Sequence, residues 1–395
     1  MVRRADVDDD ESVALAIVGV GLLLVGAIAA LTGALPGAAL LTTAGEVWPI
    51  LAFVVAISIV AELAAAAGLF DVSAFFLTRM ARGRTLVLWV LVVVLAVVVT
   101  TFLSLDTTAV LLTPVVISMA RALRLNPIPF VFTTVWLANT ASLVLPVSNL
   151  TNLLAVGGIG DGSVGTFVAL VGPSALVSIV VSTLLLLFAH RRDLRGRHSA
   201  AAPPAVSDPV QLKIAAVIVI ALLPLLTSGL PPWIPASVAA AAMLAVFAWR
   251  SPQALRLSLV PWPLLVFACG LFVAVSALEV WGSRGILSTV AGVGGSLPDL
   301  LRLAGSGALA ANIGNNLPAF LVLHPFADSP ERVAALLVGV NAGPLITPWG
   351  SLATLLWYSR IKAAGVEFSW RRFVLFGLVA VPLTVTAAVL PLALR

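Results

Sequence analysis

Two stretches of this 395-residue sequence are copies of one another: NTASLVLPVSNLTNLL at 139–154 and NAGPLITPWGSLATLL at 341–356. They align without a gap and share six identities in sixteen positions, including the prolines Pro146 and Pro348. Two further matches follow the same order along the chain, Trp48–Phe53 with Trp262–Phe267 and Asp106–Ala109 with Asn316–Ala319. Chance matching of leucines does not explain three blocks in one order, so the sequence predicts an internal repeat.

The composition indicates a membrane protein. Hydrophobic residues make up 61% of the chain and charged residues 10%, against about 25% charged in soluble domains. Apolar runs of about 20 residues, the length that crosses a bilayer, recur along the chain. The first, at 13–35, is too long for the apolar part of a secretory signal, about 7–15 residues, and we expect a retained helix.

The positions of the basic residues predict the topology. If their clusters mark the cytoplasmic side, 18 of the 22 lysines and arginines lie inside, and the exceptions are Arg284, Arg302, Arg332 and Arg395. Segments 85–103 and 107–120 are then flanked by internal arginines on both sides. We therefore expect a re-entrant hairpin with its tip near Ser104–Thr108, and a second hairpin from the outside formed by 286–311 and 317–327.

The two copies have opposite orientation by the same rule, which is typical of secondary transporters with inverted repeats and broken helices. The predicted fold is an all-α polytopic membrane protein with two inverted repeats, each with a re-entrant hairpin and a broken transmembrane helix. The predicted units are 1–189, a cytoplasmic linker at 190–212, and 213–395. The N-terminus is expected in the cytoplasm and the C-terminus outside.

Polar residues at the tips and breaks are the candidate substrate- or ion-binding groups. Proline breaks a helix and frees backbone groups, and non-helical backbone at membrane depth has to line a cavity or be buried in protein. Gly350 would allow close approach of the backbone. The candidates are Asp106, Thr107, Thr108, Ser148, Asn149, Asn152, Asn312, Asn315, Asn316, Thr347, Gly350 and Ser351.

Two acidic residues lie within apolar runs and are candidates for proton coupling. A carboxylate there costs about 2.5–3.5 kcal/mol on insertion scales, so a functional role is the default hypothesis. Asp106 at the first tip is one candidate, although an aspartate at this position also suits a helix cap. Glu62 is the other, and a structural hydrogen bond is its alternative role.

At these motifs the sequence resembles the arsenite efflux permeases of the ion transporter superfamily. The similar stretches are LANTASLVLPVSNLTNLLAV at 137–156, NIGNNLPAFLVL at 312–323 and NAGPLITPWGSLATLLWYSRIKAAGVEFSW at 341–370. The resemblance implies proton-driven efflux of arsenite or antimonite, in some members with a soluble ATPase subunit. The first tip departs from the family, which more often has Asn-Asp-Gly where this chain has Leu105-Asp106-Thr107-Thr108.

Two other transporter functions fit the same sequence features, whereas other classes of protein do not. A sodium/proton antiporter or a sodium-coupled carboxylate or anion transporter would have similar architecture. The single cysteine, Cys269, excludes a metal site built from several thiolates, and we expect neither a metal nor a cofactor. Three histidines make an embedded enzyme improbable, and the basic residues lie in short loops, which argues against nucleic-acid binding.

Overall fold

The computed structural model describes residues 6–32, 37–198, 203–280 and 284–394, and these ranges contain helices and no strands. The helices of the N-terminal part are α1 Asp6–Leu31, α2 Gly37–Ala66, α3 Leu69–Met80, α4 Thr85–Leu103, α5 Leu105–Thr107, α6 Thr113–Ala122, α7 Ile128–Thr140, α8 Leu150–Ala155 and α9 Val164–His190. Those of the C-terminal part are α10 Pro209–Leu225, α11 Trp233–Arg250, α12 Trp262–Val280, α13 Arg284–Ala291, α14 Leu297–Gly314, α15 Asn316–Leu323, α16 Pro330–Ala342, α17 Leu352–Ala363 and α18 Trp370–Ala393.

Six helical stretches in the described ranges are long and apolar enough to cross a membrane. They are Val47–Ala66, Thr85–Leu103, Leu105–Ala122, Val164–His190, Trp233–Arg250 and Trp370–Ala393. Shorter apolar helices accompany them, and α7 is short because the chain breaks between it and α8. The prediction of an all-α polytopic membrane protein is confirmed.

The first hairpin turns at Ser104. This residue has φ 101° and ψ 161°, a backbone region that costs an L-residue about 1–3 kcal/mol, and it ends α4 one residue before α5 begins. Its hydroxyl accepts a hydrogen bond from the Thr107 amide. Across the turn, the hydroxyls of Thr100 and Thr108 lie 2.8 Å apart, so the two legs return alongside each other.

The second hairpin turns at Asn315 in the same way. Asn315 has φ 85° and ψ 153°, and its side chain accepts from the Leu317 amide. Ser104 and Asn315 are therefore equivalent positions. This register differs by one residue from the sequence alignment, because the turn places Asn316 opposite Leu105 rather than opposite Asp106.

Both predicted helix breaks are present. In the first repeat α7 ends at Thr140, Leu145 is extended with φ −128°, and Asn149 caps α8. In the second repeat α16 ends at Ala342 and Ser351 caps α17 by accepting from the Thr354 amide. Asn149 and Ser351 occupy the same column of the gapless alignment, so the repeat extends to the capping residue.

The predicted segment 286–311 differs from the structure, which divides it into α13 and α14. The division falls at Gly292 and Gly294, whose φ values of 66° and 97° favour glycine. The buried Arg332 holds this turn, since its guanidinium donates to the carbonyls of Gly292 and Gly294 and its Nε lies 3.0 Å from Asp328. Arg332 therefore has a structural role, which explains why it does not follow the charge rule.

The helix that precedes the Trp-Pro helix in each repeat packs against the Trp-Pro helix of the other repeat, where the Trp-Pro helices are α2 with Trp48 and α12 with Trp262. Helix α1 crosses α12 so closely that a Cβ built on Gly270 would lie 2.4 Å from the Gly19 carbonyl oxygen. Helix α11 packs against α2, where the rings of Trp48 and Trp233 meet edge to face at 5.0 Å. This exchange of helices joins the two repeats.

Candidate functional site

A cavity lies where the two hairpin tips and the two helix breaks converge. We call it the central cavity, and its empty space is about 670 Å³ including the part that opens outward. Its polar lining residues are Ser58, Ser104, Asp106, Asn149, Asn315 and Asn316. Its apolar lining comes from α2, α12, both tips and both breaks, with Phe53, Val54, Ile57, Leu105, Val147, Leu150, Leu153, Leu264, Phe267, Leu317, Leu352 and Ala353.

A second cavity adjoins the first, and we call it the side cavity. It shares Ser58, Ser104, Asp106, Leu264 and Leu352 with the central cavity. It adds Glu62 from α2, Thr107 from the tip and Arg360 from the last turn of α17. Glu62 and Arg360 thus place opposite charges in the lining of one cavity. Asp106 lines both spaces, so its carboxylate lies at the junction between them.

The chain around Asp106 explains its position. The residue lies in the first turn of α5, directly after the strained turn at Ser104, and its side chain is half-buried. A carboxylate near the N-terminal end of a helix interacts favourably with the free amides and the helix dipole. The turn therefore places an acidic group at the cavity wall in a setting that also tolerates its charge.

Asn149 belongs to a buried hydrogen-bond network that joins the two breaks. Its side-chain amide donates to the Oδ1 atom of Asn341, which also accepts from the Thr151 hydroxyl at 3.2 Å. The Asn341 amide donates to Asn152 Oδ1 at 3.0 Å, and Asn152 donates to the carbonyls of Ser142 and Leu145. Asn152 is thus occupied within the protein.

Asn341 was not among the sequence-derived candidates, although it belongs to the repeated block. It aligns with Asn139, and this shared asparagine at the start of both copies was the available signal. Nothing in the sequence distinguishes the two residues. In the structure Asn341 bridges the repeats, whereas Asn139 donates to the carbonyl of Val135 in its own helix.

Asn312 connects the second hairpin to the second break. Its amide donates to the carbonyls of Ala308 and Gly343, each at 2.8 Å. Its Oδ1 atom accepts from the amides of Ile346 and Thr347. The hydroxyl of Thr347 also donates to the backbone carbonyl of Asn312. Both side chains are therefore engaged in holding the hairpin against the break.

Of the remaining candidates, Thr107 lines the side cavity, whereas Ser148, Gly350 and Ser351 are absent from the described lining of both cavities. Ser148 donates to the Thr101 carbonyl at 2.8 Å, and Thr107 donates to the Leu103 carbonyl at 2.7 Å. Ser351 is the N-cap of α17, and its hydroxyl accepts from the Thr354 amide. A Cβ on Gly350 would lie 2.9 Å from the Pro344 carbonyl oxygen, so this position accommodates only glycine without movement. These residues fix the backbone near the cavities, through hydrogen bonds to backbone groups or through close backbone contact.

The cavity chemistry is that of hydroxyls, amides and one carboxylate. Within the described ranges, no group of three or more histidine, cysteine or acidic side chains is arranged to hold a metal ion. Cys269 lies on α12 and is absent from the described lining of both cavities. Such a site suits a small polar solute bound through hydrogen bonds.

Comparison with known proteins agrees with this architecture. Residues 12–338 match the family described as citrate transporter (CitMHS), which is most of the chain. The chain belongs to the citrate transporter family. It is accordingly a membrane transporter for an ion or small solute, in agreement with the helices and cavities described above.

Individual relatives confirm the resemblance noted in the sequence. The chain is 29% identical to the arsenical pump membrane protein of Escherichia coli over 373 residues, which cover 88% of this chain and 87% of that one. It is 26% identical to the putative arsenical pump membrane protein of Bacillus subtilis over 350 residues, 78% and 79% of the two chains.

A solved structure shares the fold. The YdaH transporter of Alcanivorax borkumensis, whose structure was described as having an unusual topology, superposes with a TM-score of 0.58. The match covers 97% of each chain at 16% sequence identity. This likeness concerns the fold alone.

Proposed function

We propose that this protein is a secondary active transporter that exports arsenite, and antimonite, in exchange for protons. The observation that carries the proposal is the convergence of both tips and both breaks on a cavity lined by Asp106 and neutral polar groups. The similarity to arsenical pump membrane proteins of two distant bacteria supports the substrate.

The polar lining suits arsenite in its neutral form. At neutral pH arsenite is an uncharged trihydroxide, which both donates and accepts hydrogen bonds. Asp106 would accept from its hydroxyls, and the amides of Asn315 and Asn316 would donate to its oxygens. With no thiol in the described lining, recognition through hydroxyls leaves binding weak enough for release.

Asp106 is the proposed proton-binding residue. It lines both cavities, so a proton could reach it from either space. A protonated Asp106 no longer presents a full acceptor to the arsenite hydroxyls, so proton and substrate compete for one group. Competition for a single site is the simplest basis for exchange.

A carboxylate anion is the second candidate substrate. The family is described by a citrate transporter, and Arg360 in the side cavity offers a positive charge. The carboxylates of Asp106 and Glu62 in the same cavity would repel a di- or trianion. A sodium/proton exchange at Asp106 would need no such anion and is the remaining alternative.

Transport into inside-out vesicles tests the proposal. We expect vesicles that contain the wild-type protein to accumulate arsenite when acidified inside, with competition by antimonite and none by citrate. Asp106→Asn should abolish this uptake. Asp161→Asn, which alters an exposed loop carboxylate, is the matched control and should leave uptake unchanged. Citrate uptake, or sodium-driven proton movement without arsenite uptake, would reject the proposal.

The orientation and the unit boundaries are part of the same proposal. We place the N-terminus in the cytoplasm and the C-terminus outside, with units at 1–189, 190–212 and 213–395. On this topology, a soluble ATPase subunit would bind on the same side of the membrane as the linker. Single cysteines introduced at exposed positions of the linker and at the C-terminus of a Cys269→Ser protein test the topology. Labelling of the linker from outside intact cells would contradict it.

A further inference from the structure

Three charged side chains meet at the side cavity. Within the described lining of the two cavities, the charged residues are Asp106, Glu62 and Arg360, and all three are half-buried. They come from three elements of both repeats: α2, the first hairpin tip and α17. Arg360 is one of the basic residues that the charge rule assigns to a cytoplasmic loop, yet its side chain lies in the cavity.

Other charged groups near these elements face elsewhere. Lys362, two residues after Arg360, is exposed. Arg121 on the neighbouring α6 donates to the Gly365 carbonyl at 3.2 Å. Asp71 on α3 lines a different cavity. The charge balance of the site therefore depends on Asp106, Glu62 and Arg360.

Two carboxylates and one guanidinium leave the site with one net negative charge. An uncompensated charge is expensive when a cavity closes to water at membrane depth. Arginine remains protonated in proteins, so Arg360 neutralises one of the two carboxylates at all times. We assign Glu62 to it, because Glu62 lines the side cavity alone whereas Asp106 also lines the central cavity. Asp106 is then the carboxylate that needs a proton, or the hydroxyls of a bound solute, before closure.

We infer that Arg360 sets the number of protons exchanged per transport cycle at one, by permanently neutralising one of the two cavity carboxylates. This inference rests on the proton-coupled transport proposed above. Without the guanidinium, both carboxylates would have to be protonated in the closed state, and two protons would move in each cycle.

Charge-altering variants predict proton numbers of zero, one and two from the same cavity. Arg360→Gln should raise the number from one to two. Glu62→Gln should lower it to zero, because Asp106 and Arg360 then neutralise each other. The double variant should return it to one, and so should Arg360→Lys, which keeps the charge but changes the shape.

Purified full-length protein in sealed vesicles allows the number to be measured. For each variant, the arsenite gradient that stops net arsenite flux is determined at several imposed pH gradients. The logarithm of the arsenite concentration ratio at zero net flux is plotted against the imposed pH difference. The slope of this plot is the proton number. We expect slopes of one, two, zero and one for the wild type, Arg360→Gln, Glu62→Gln and the double variant.

The outcomes separate this inference from the proposed function. A wild-type slope of one that persists in Arg360→Gln and in Glu62→Gln would overturn the role of Arg360. If Arg360→Gln does not fold, the Glu62→Gln slope decides, and any value other than zero overturns the inference. A wild-type protein that moves no arsenite would instead overturn the proposed function.

Discussion

Asn149 and Asn341 lie 192 positions apart in the chain and are joined by a buried hydrogen bond between their side chains. Each comes from one of the two broken helices, and Asn149 also lines the central cavity. The wall of the cavity is therefore fixed by a contact between repeats. Any movement that separates the breaks has to disrupt this bond.

Asn341→Ala should destabilise the protein strongly. The change removes the acceptor of Asn149 and Thr151 and the donor to Asn152, and each buried group left unpaired costs about 1–3 kcal/mol. The midpoint of thermal unfolding in detergent measures the loss. Asn139→Ala at the equivalent position is the control and should cost less, because Asn139 donates only within its own helix. Equal losses would contradict the bridging role of Asn341.

The turn at Ser104 predicts an order of stability among its variants. Ser104→Gly relieves the strained φ of 101° but loses the hydroxyl that accepts from Thr107, so these effects partly cancel. Ser104→Ala keeps the strain and also loses the cap. We expect the alanine variant to unfold at a lower temperature than the glycine variant. The reverse order would show that the backbone conformation is not maintained.

Close packing at Gly377 predicts that even alanine is harmful there. A Cβ at this position of α18 would lie 2.3 Å from the Leu345 carbonyl oxygen, so the second helix break would have to move. Gly377→Ala should lower both thermal stability and transport. Gly305→Ala in α14 is the matched control, since its Cβ would meet no heavy atom within 4 Å. A Gly377→Ala protein with wild-type stability and transport would be inconsistent with the packing.

An ion pair between Asp208, which precedes α10, and Arg250, at the end of α11, should make stability depend on pH in acid. Arg250 donates to both oxygens of Asp208 at 2.6 and 2.9 Å, and this hydrogen bonding lowers the pKa of Asp208 to about 2 from its usual 3.8. Because the folded-state pKa is depressed, the contribution is present above pH 3.8 and is lost as the pH falls towards 2.

The matching variant is Asp208→Asn. We expect its unfolding temperature to lie below that of the wild type at pH 7, with the difference shrinking between pH 4 and pH 2.5. The carboxylate also accepts from the amides of Val210 and Gln211 at the start of α10, and these hydrogen bonds help to lower the same pKa, so their contribution falls with pH as well. A difference that stays constant with pH would mean that the ion pair contributes nothing.

Several features follow from the sequence alone because they depend on local chemistry. The prolines Pro146 and Pro348 remove a helical backbone donor and stand beside polar residues in both copies of the repeat, and this combination predicts the two breaks. Proline alone does not, since Pro49 and Pro173 lie inside continuous helices. The apolar runs and the flanking arginines predict the spans and the hairpins, since the bilayer imposes length and charge on every segment. The repeated blocks predict the two-fold architecture.

Only the tertiary structure distinguishes the polar residues from one another. Asn149 lines the cavity in addition to its bond with Asn341, whereas Asn152 and Asn312 are engaged inside the protein and are absent from the described lining, although all three lie in similar motifs. Arg360 resembles a loop arginine in the sequence and lies in a cavity beside Glu62. Whether a polar side chain is hydrogen-bonded inside the protein or lines a cavity depends on partners that are distant in the chain. For Asn149 this partner is Asn341, 192 positions away. Local sequence patterns carry no information about such distant partners.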